Sequence, residues 1–302
     1  MAGDIAAPKL GPLAALGDRA PETPSWFKKA IALEPERKAL SVEGAELELL
    51  QWGAASRRSL LFLPGGGAHA DWWSFVAPFF VEDCRVGALS FSGLGNSAWR
   101  SHYSYAQHMR EVLAALAALG SAQRESQALI VAHSYGACPA LLAAVRHPEL
   151  VHGAILLDPP LNYAAAPPAP VERKPPRAYA TERMALDRFR LAGDSQNLYV
   201  LDHIARKSVR RTEDGWMWKG DHEFWPHMRH EPILPALASA SSRVALVFGA
   251  SSALTAGGAA AKDWGIPGHV PQIILPEAGH NLMVDQPLAL VAAIRAIIST
   301  WR

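Results

Sequence analysis

The sequence predicts an α/β protein: a mostly parallel sheet flanked by helices, interrupted by a largely helical cap insertion. Three observations lead there. Short apolar runs of strand character at 59–63, 86–91, at the start of 128–142 and at 151–157 alternate with segments of helical periodicity. Seven prolines within residues 159–176 then break this rhythm, which resumes with strand patterns at 243–248 and 271–275 and a closing helical pattern at 287–301. At 302 residues, with 50% hydrophobic and 19% charged side chains, the chain is long and apolar enough to bury a large core and carry an insertion. Alternating strands and helices imply right-handed parallel crossovers, and in open sheets of that kind ligands bind beyond the carboxyl ends of the strands.

In order along the chain, residues 1–24 are rich in Ala, Gly and Pro without sustained period and are expected to form a flexible tail. A short helix is expected over 26–33, then a hairpin of 39–42 and 47–52 turning at Glu43-Gly44. The strand at 59–63 runs into Pro64-Gly65-Gly66-Gly67, and the strand at 86–91 into a second glycine-rich exit at 92–97. Residues 105–119 place Met109, Val112, Leu113, Leu116 and Leu119 at helical spacing, and Gly120 stops them. Within the insertion, helical patterns occupy 181–211, followed by Trp216, Trp218 and Trp225. The closing helix sets Leu288, Val291, Ile294 and Ile298 on one face. These divisions give a core of 25–158 plus 241–302 and an insertion of 159–240, with no internal repeat.

Composition excludes several classes of function. The net charge of +1 and the lack of a long Lys/Arg block supply no footprint for nucleic acid, and Arg206, Lys207, Arg210 and Arg211 read as a solvated helix face. Cys84 and Cys138 have neither metal nor redox spacing and read as small buried side chains. No stretch approaches 18 uninterrupted apolar residues and the N-terminus lacks the pattern of a signal peptide, so no membrane span and a cytoplasmic location are expected. His222, His227 and His230 beside Asp221 and Glu223 match no standard metal-ligand spacing, because Pro226 interrupts any helix. Neither metal nor cofactor is expected.

The chemistry centres on 128–142. A strand there turns through His133-Ser134-Tyr135-Gly136 into an alanine-rich helix, which leaves a serine hydroxyl exposed at the carboxyl end of the sheet. Ala132 and Gly136 fill the small positions of a nucleophile elbow; an ordinary turn with a capping serine is the bland alternative. The Pro64-Gly67 loop lets the backbone fold back and present an amide, so Gly66 and Tyr135 are the candidate oxyanion donors, against a merely flexible turn. A serine nucleophile needs a base, and His280, in Ala278-Gly279-His280 after the last strand, is the candidate, against a solvated loop histidine. His69 and His133 flank this region as substrate-contact candidates. Trp72, Trp73, Trp99, Trp216, Trp218 and Trp225 read first as packing residues, a few of them lining the pocket if it accepts an apolar or aromatic group.

The elbow, the glycine loops, the Ala-Gly-His segment, Asp71-Trp72-Trp73 and the Gly-Trp-Met-Trp-Lys run of 215–219 together resemble the α/β-hydrolase superfamily over nearly the whole chain. In wording they are most similar to bacterial single-domain members. The resemblance implies Ser134 as nucleophile, His280 as base, Gly66 and Tyr135 as oxyanion amides and 159–240 as the cap. The superfamily's commonest acid follows the strand after the cap, but Gly249-Ala250-Ser251-Ser252-Ala253 holds no carboxylate. Some members place the acid after the preceding strand, which here is Asp158 and preserves the order Ser, Asp, His. A structural cap beside Pro159 is the competing role for Asp158, and Asp263 is a distant rival. The function implied is a cofactor-independent serine hydrolase cleaving a small-molecule carboxylic ester through an acyl-enzyme. Carbon–carbon bond hydrolysis, lyase or cofactor-free dioxygenase chemistry on the same fold is the alternative, and a slow-turnover ligand-binding receptor is the reading from another class.

Overall fold

A computed structural model describes residues 10–55, 58–120, 127–161, 175–193, 195–231 and 233–301. Helix α1 (Ser25–Ala32) leads into an antiparallel pair, β1 (Glu36–Val42) and β2 (Ala45–Trp52), joined by Glu43 and Gly44. Both turn residues have positive φ, 47° and 77°, which is the twist a two-residue hairpin requires. Next come β3 (Arg58–Leu63), β4 (Arg85–Leu89), the two-residue β5 (Tyr103–Ser104) and helix α2 (Tyr105–Ala118). The Ser104 hydroxyl accepts from the amide of Gln107 and fixes where α2 begins. Strand β6 (Gln127–His133), helix α3 (Ala137–Arg146) and β7 (Val151–Leu157) complete the first half of the core.

The insertion contributes α4 (Glu182–Leu186), α5 (Leu198–Lys207), β8 (Val209–Thr212), β9 (Gly215–Trp218), β10 (Met228–Arg229) and α6 (Leu234–Ala238). The core then resumes with β11 (Arg243–Gly249), β12 (Gln272–Leu275), α7 (Leu282–Asp285) and α8 (Pro287–Thr300). Among the described residues, eight strands form one sheet in the order β1-β2-β4-β3-β6-β7-β11-β12, with β2 antiparallel to both its neighbours and every pairing from β4 to β12 parallel.

Strand alternation divides the core into two layers. Leu60 and Phe62 of β3 join one apolar cluster with Trp73, Ile294 and Ile298, whereas Leu61 and Leu63 join another with Val112, Leu116 and Leu141. Helices thus cover both faces, and β3 is buried from Ser59 to Leu63, as a central parallel strand must be. No helix among the described residues is long and apolar enough to cross a membrane.

The structure corrects two expectations, on the tail and on Arg210 and Arg211. Part of the predicted tail is ordered: Pro12–Leu16 is a 3-10 turn whose Leu13 is fully buried, and Arg183 donates to the carbonyls of Leu13 and Gly17. Such anchoring by a distant arginine leaves no period in the tail's own sequence. Beside its helices the insertion also carries strands among the described residues: β8 and β9 form an antiparallel hairpin and β10 pairs with β5. Arg210 and Arg211 consequently lie on a strand, while Arg206 and Lys207 end α5. Much of the proline-rich entry to the insertion, residues 162–174, lies outside the described residues.

Candidate active site

Ser134 follows the last residue of β6 with φ of 49°, a left-handed conformation that costs a non-glycine residue about 1–3 kcal/mol. The turn is enforced by close packing. A Cβ on Gly136 would lie 2.5 Å from the Pro64 carbonyl oxygen, and one on Gly65 would lie 3.2 Å from the Ser134 Cβ. The two glycines let the 64–67 loop and the elbow meet. Gly66 has a different neighbour: a Cβ there would collide with the ring of Trp225, which comes from the insertion.

His280 sits on the loop between β12 and α7. Asp285 accepts from the Gly279 amide (2.8 Å), and the Asn281 side-chain amide donates to the carbonyl of Ala192 (2.8 Å), so the loop is held from both core and insertion. Asp158 follows β7, fully buried and itself at φ of 46°. Its Oδ2 lies 2.7 Å from His280 Nδ1, and Ser134 Oγ lies 2.9 Å from His280 Nε2. A carboxylate only accepts, so Nδ1 carries the proton and Nε2 presents its lone pair to the serine hydroxyl.

The structure therefore joins Ser134, His280 and Asp158, residues far apart in sequence, into one hydrogen-bonded chain. Asp263 lies exposed in the 3-10 segment Ala256–Trp264 and Glu277 is also exposed, so neither occupies the position beside Nδ1.

Two residues missed by sequence reasoning complete this arrangement. Ser252 Oγ donates to Asp158 Oδ2 (2.5 Å) and Thr255 Oγ1 to Oδ1 (2.7 Å). Burial alone would raise the Asp158 pKa, but hydrogen bonds from His280, Ser252 and Thr255 outweigh it and hold the group below its ordinary value. The segment after β11, where the resemblance looks for an acid, instead supplies hydroxyls to an acid on the neighbouring strand. Their only sequence mark is that they follow the end of β11 at Gly249, as hydroxyls commonly do.

Other sequence candidates separate. Tyr135 is buried, its Oη 2.6 Å from His108 Nδ1, and it follows the serine directly. His133 donates from Nε2 to the His280 carbonyl (2.8 Å), and burial pushes its pKa down to about 3, so it is a neutral brace for the His280 loop. His69 is buried against Ser208, 2.8 Å from its Oγ; it is not itself in the wall of either cavity described below, although Ser208 lines the smaller one. Asp221 accepts from Tyr103 Oη and from the Glu223 amide, and among the described residues no group of His, Cys, Asp and Glu is arranged to hold a metal.

Two cavities open on Ser134 and His280. The larger, about 980 Å³, includes Tyr105, Tyr135, Leu254 and Glu277 in its wall; the smaller, about 500 Å³, includes Gly66, Trp72, Trp218 and Lys219. Trp225 lines both, 47% exposed and stacked on His230 at 8° between ring planes.

The sheet order and the turn at the end of β6 define an α/β-hydrolase fold. Residues 60–294 match the model of the alpha/beta hydrolase family, and the chain belongs to that family. It is similar to the esterase Rv0045c of Mycobacterium tuberculosis, 25% identical over 278 residues, which span 86% of this chain and 88% of that protein. A shorter similarity, 32% over 101 residues, relates 33% of the chain to 36% of the pimeloyl-[acyl-carrier protein] methyl ester esterase of Edwardsiella ictaluri. The thioesterase domain from the curacin biosynthetic pathway shares the fold with a TM-score of 0.72 at 23% identity, over 86% of this chain and 99% of that one.

Proposed function

We propose that this chain is a serine hydrolase that cleaves a small carboxylic ester through an acyl-enzyme. His280 Nε2 takes the proton of Ser134 Oγ as the oxygen attacks the ester carbonyl, and the Gly66 and Tyr135 amides stabilise the oxyanion. The imidazolium then protonates the leaving alcohol. In the second half His280 deprotonates a water that attacks the acyl-serine, and collapse of that intermediate releases the acid and restores Ser134. Asp158 holds the productive tautomer and stabilises the transient imidazolium. The scheme needs no cofactor.

The observation that carries this reading is the continuous hydrogen-bonded chain from Ser134 Oγ through both nitrogens of His280 to Asp158. Ester cleavage named for two of the relatives supports the choice of bond. The insertion, 159–240, serves as the cap: Pro160, Ala192, Asn197, Trp225 and His230 share the larger cavity with Ser134. Tyr105, Tyr135, Trp225 and Leu254 in its wall suit an apolar or aromatic part of the substrate.

A fluorophosphonate probe tests the nucleophile without knowledge of the natural ester. Peptide mass spectrometry is expected to find one phosphonylated residue, Ser134. Labelling at another residue, or none in the folded protein, would contradict the assignment.

A further inference from the structure

The two cavities that meet at Ser134 differ in charge. Glu277 and Asp285 line the larger cavity with no lysine or arginine among its described wall residues. The smaller is lined by Arg188, Arg190 and Lys219 with no carboxylate among its described wall residues. This second cavity lies on the side of the 65–68 glycine loop, and both nucleophile and base border it. It is also where two sequence motifs left unused by the proposed chemistry come together: Trp72 comes from the Asp71-Trp72-Trp73 run, and Trp218 and Lys219 from the 215–219 run.

Lys219 is partly buried at the end of the β8–β9 hairpin, its amide donating to the Ser208 carbonyl (2.7 Å). Its ammonium has no hydrogen-bond acceptor or ion-pair partner among the described residues. The nearby carboxylates are already engaged, because Arg37 donates to Asp71 (2.5 Å) and to Glu48 (2.7 Å). Partial burial lowers the Lys219 pKa; Asp71 and Glu48 oppose it, and the positive charges of Arg37 and Lys207 add to it. Lys219 is thus a partly buried cation with no counter-ion among the described residues, and an anion entering the cavity would supply one. Arg188 adds a second unsatisfied donor: its Nη1 is bonded to the Met184 carbonyl, but its buried Nε has no partner.

We propose that the smaller cavity is an anion subsite, in which Lys219 binds a carboxylate or phosphate carried by the substrate a few bonds from the scissile ester. The inference rests on the serine-esterase reading and adds the substrate class, an ester with one anionic end. In that arrangement Trp72 and Trp218 flank the connecting chain, Lys219 meets the charge, and the larger cavity receives the neutral remainder.

The test compares 4-nitrophenyl esters of matched length whose acyl chains end in a methyl group, a carboxylate or a phosphate. Parallel esters carry the same groups on the alcohol side, so the two anions and the two ends of the substrate are separated. For at least one anionic ester, kcat/KM is expected to exceed that of the neutral isostere by about tenfold or more, as a charge-assisted contact provides. Lys219→Met, which keeps the aliphatic stem, should reduce this anionic-to-neutral ratio about tenfold, and Lys219→Arg should restore most of it.

Equal kcat/KM for neutral and anionic esters in the unaltered protein, or a ratio that Lys219→Met leaves unchanged, would overturn the proposal. Calorimetry with a dicarboxylate and a monocarboxylate of equal length makes the same comparison without turnover. Tighter, Lys219-dependent dicarboxylate binding is expected, and equal binding would overturn the subsite. Phosphonylation of Ser134 does not depend on Lys219, so loss of the subsite and loss of the esterase reading give different results.

Discussion

Ser134→Ala is expected to lower ester turnover by about three decades or more while leaving the cooperative unfolding transition in place. The hydroxyl it removes points at His280 Nε2 and accepts the acyl group in the proposed scheme; no other hydroxyl lies against that nitrogen among the described residues. Alanine also retains a Cβ at the strained φ of 49°, so the elbow meets no new clash. The check is kcat on a short-chain aryl ester beside a thermal melt. Retention of more than about a tenth of the activity in a folded variant would remove Ser134 from the role of nucleophile.

The second large effect is expected at Asp158. In Asp158→Asn, a side-chain NH2 facing His280 Nδ1 would favour the tautomer with the proton on Nε2, which cannot take the proton of Ser134. Turnover should fall by roughly two to four decades with KM nearly unchanged. A purely structural Asp158 would give the opposite division, since losing hydrogen bonds from Ser252 and Thr255 would lower the melting temperature and spare kcat. Steady-state kinetics and a melt on the same preparation separate the outcomes.

The parts of the site that were legible in the sequence are those whose geometry is local. A strand, a serine and two small residues within 132–136 specify an elbow, because the turn they form depends on their immediate neighbours. His280, in a Gly-His pair after the last strand, became legible only through its place in chain order behind the elbow serine. Asp158 required the order of three residues along the chain and the lack of a carboxylate after Phe248. Ser252 and Thr255 gave no distinctive signal, since hydroxyls after a strand are common and their partner lies more than ninety positions away. Trp225 against Gly66 is likewise a tertiary fact, invisible in either local sequence.

Fold class followed from the alternation of strands and helices, which the parallel sheet from β4 to β12 reproduces. The insertion was harder to read. Helical and strand periods are difficult to separate in runs as short as Val209–Thr212 and Gly215–Trp218, and pairing between them decides their conformation. One further contact supports that hairpin from outside: Tyr179 bridges to Trp216 through two backbone hydrogen bonds, of 2.7 and 2.8 Å.

The central claim is that an ester's acyl group passes through Ser134, and trapping that intermediate tests it most directly. A 4-nitrophenyl ester mixed with the protein and quenched in acid before the first turnover is complete should yield a 134-containing peptide heavier by the acyl group, with a matching release of nitrophenol. Turnover of the same ester with Ser134 unmodified at every quench time, and with hydroxylamine failing to divert any acyl group, would contradict it.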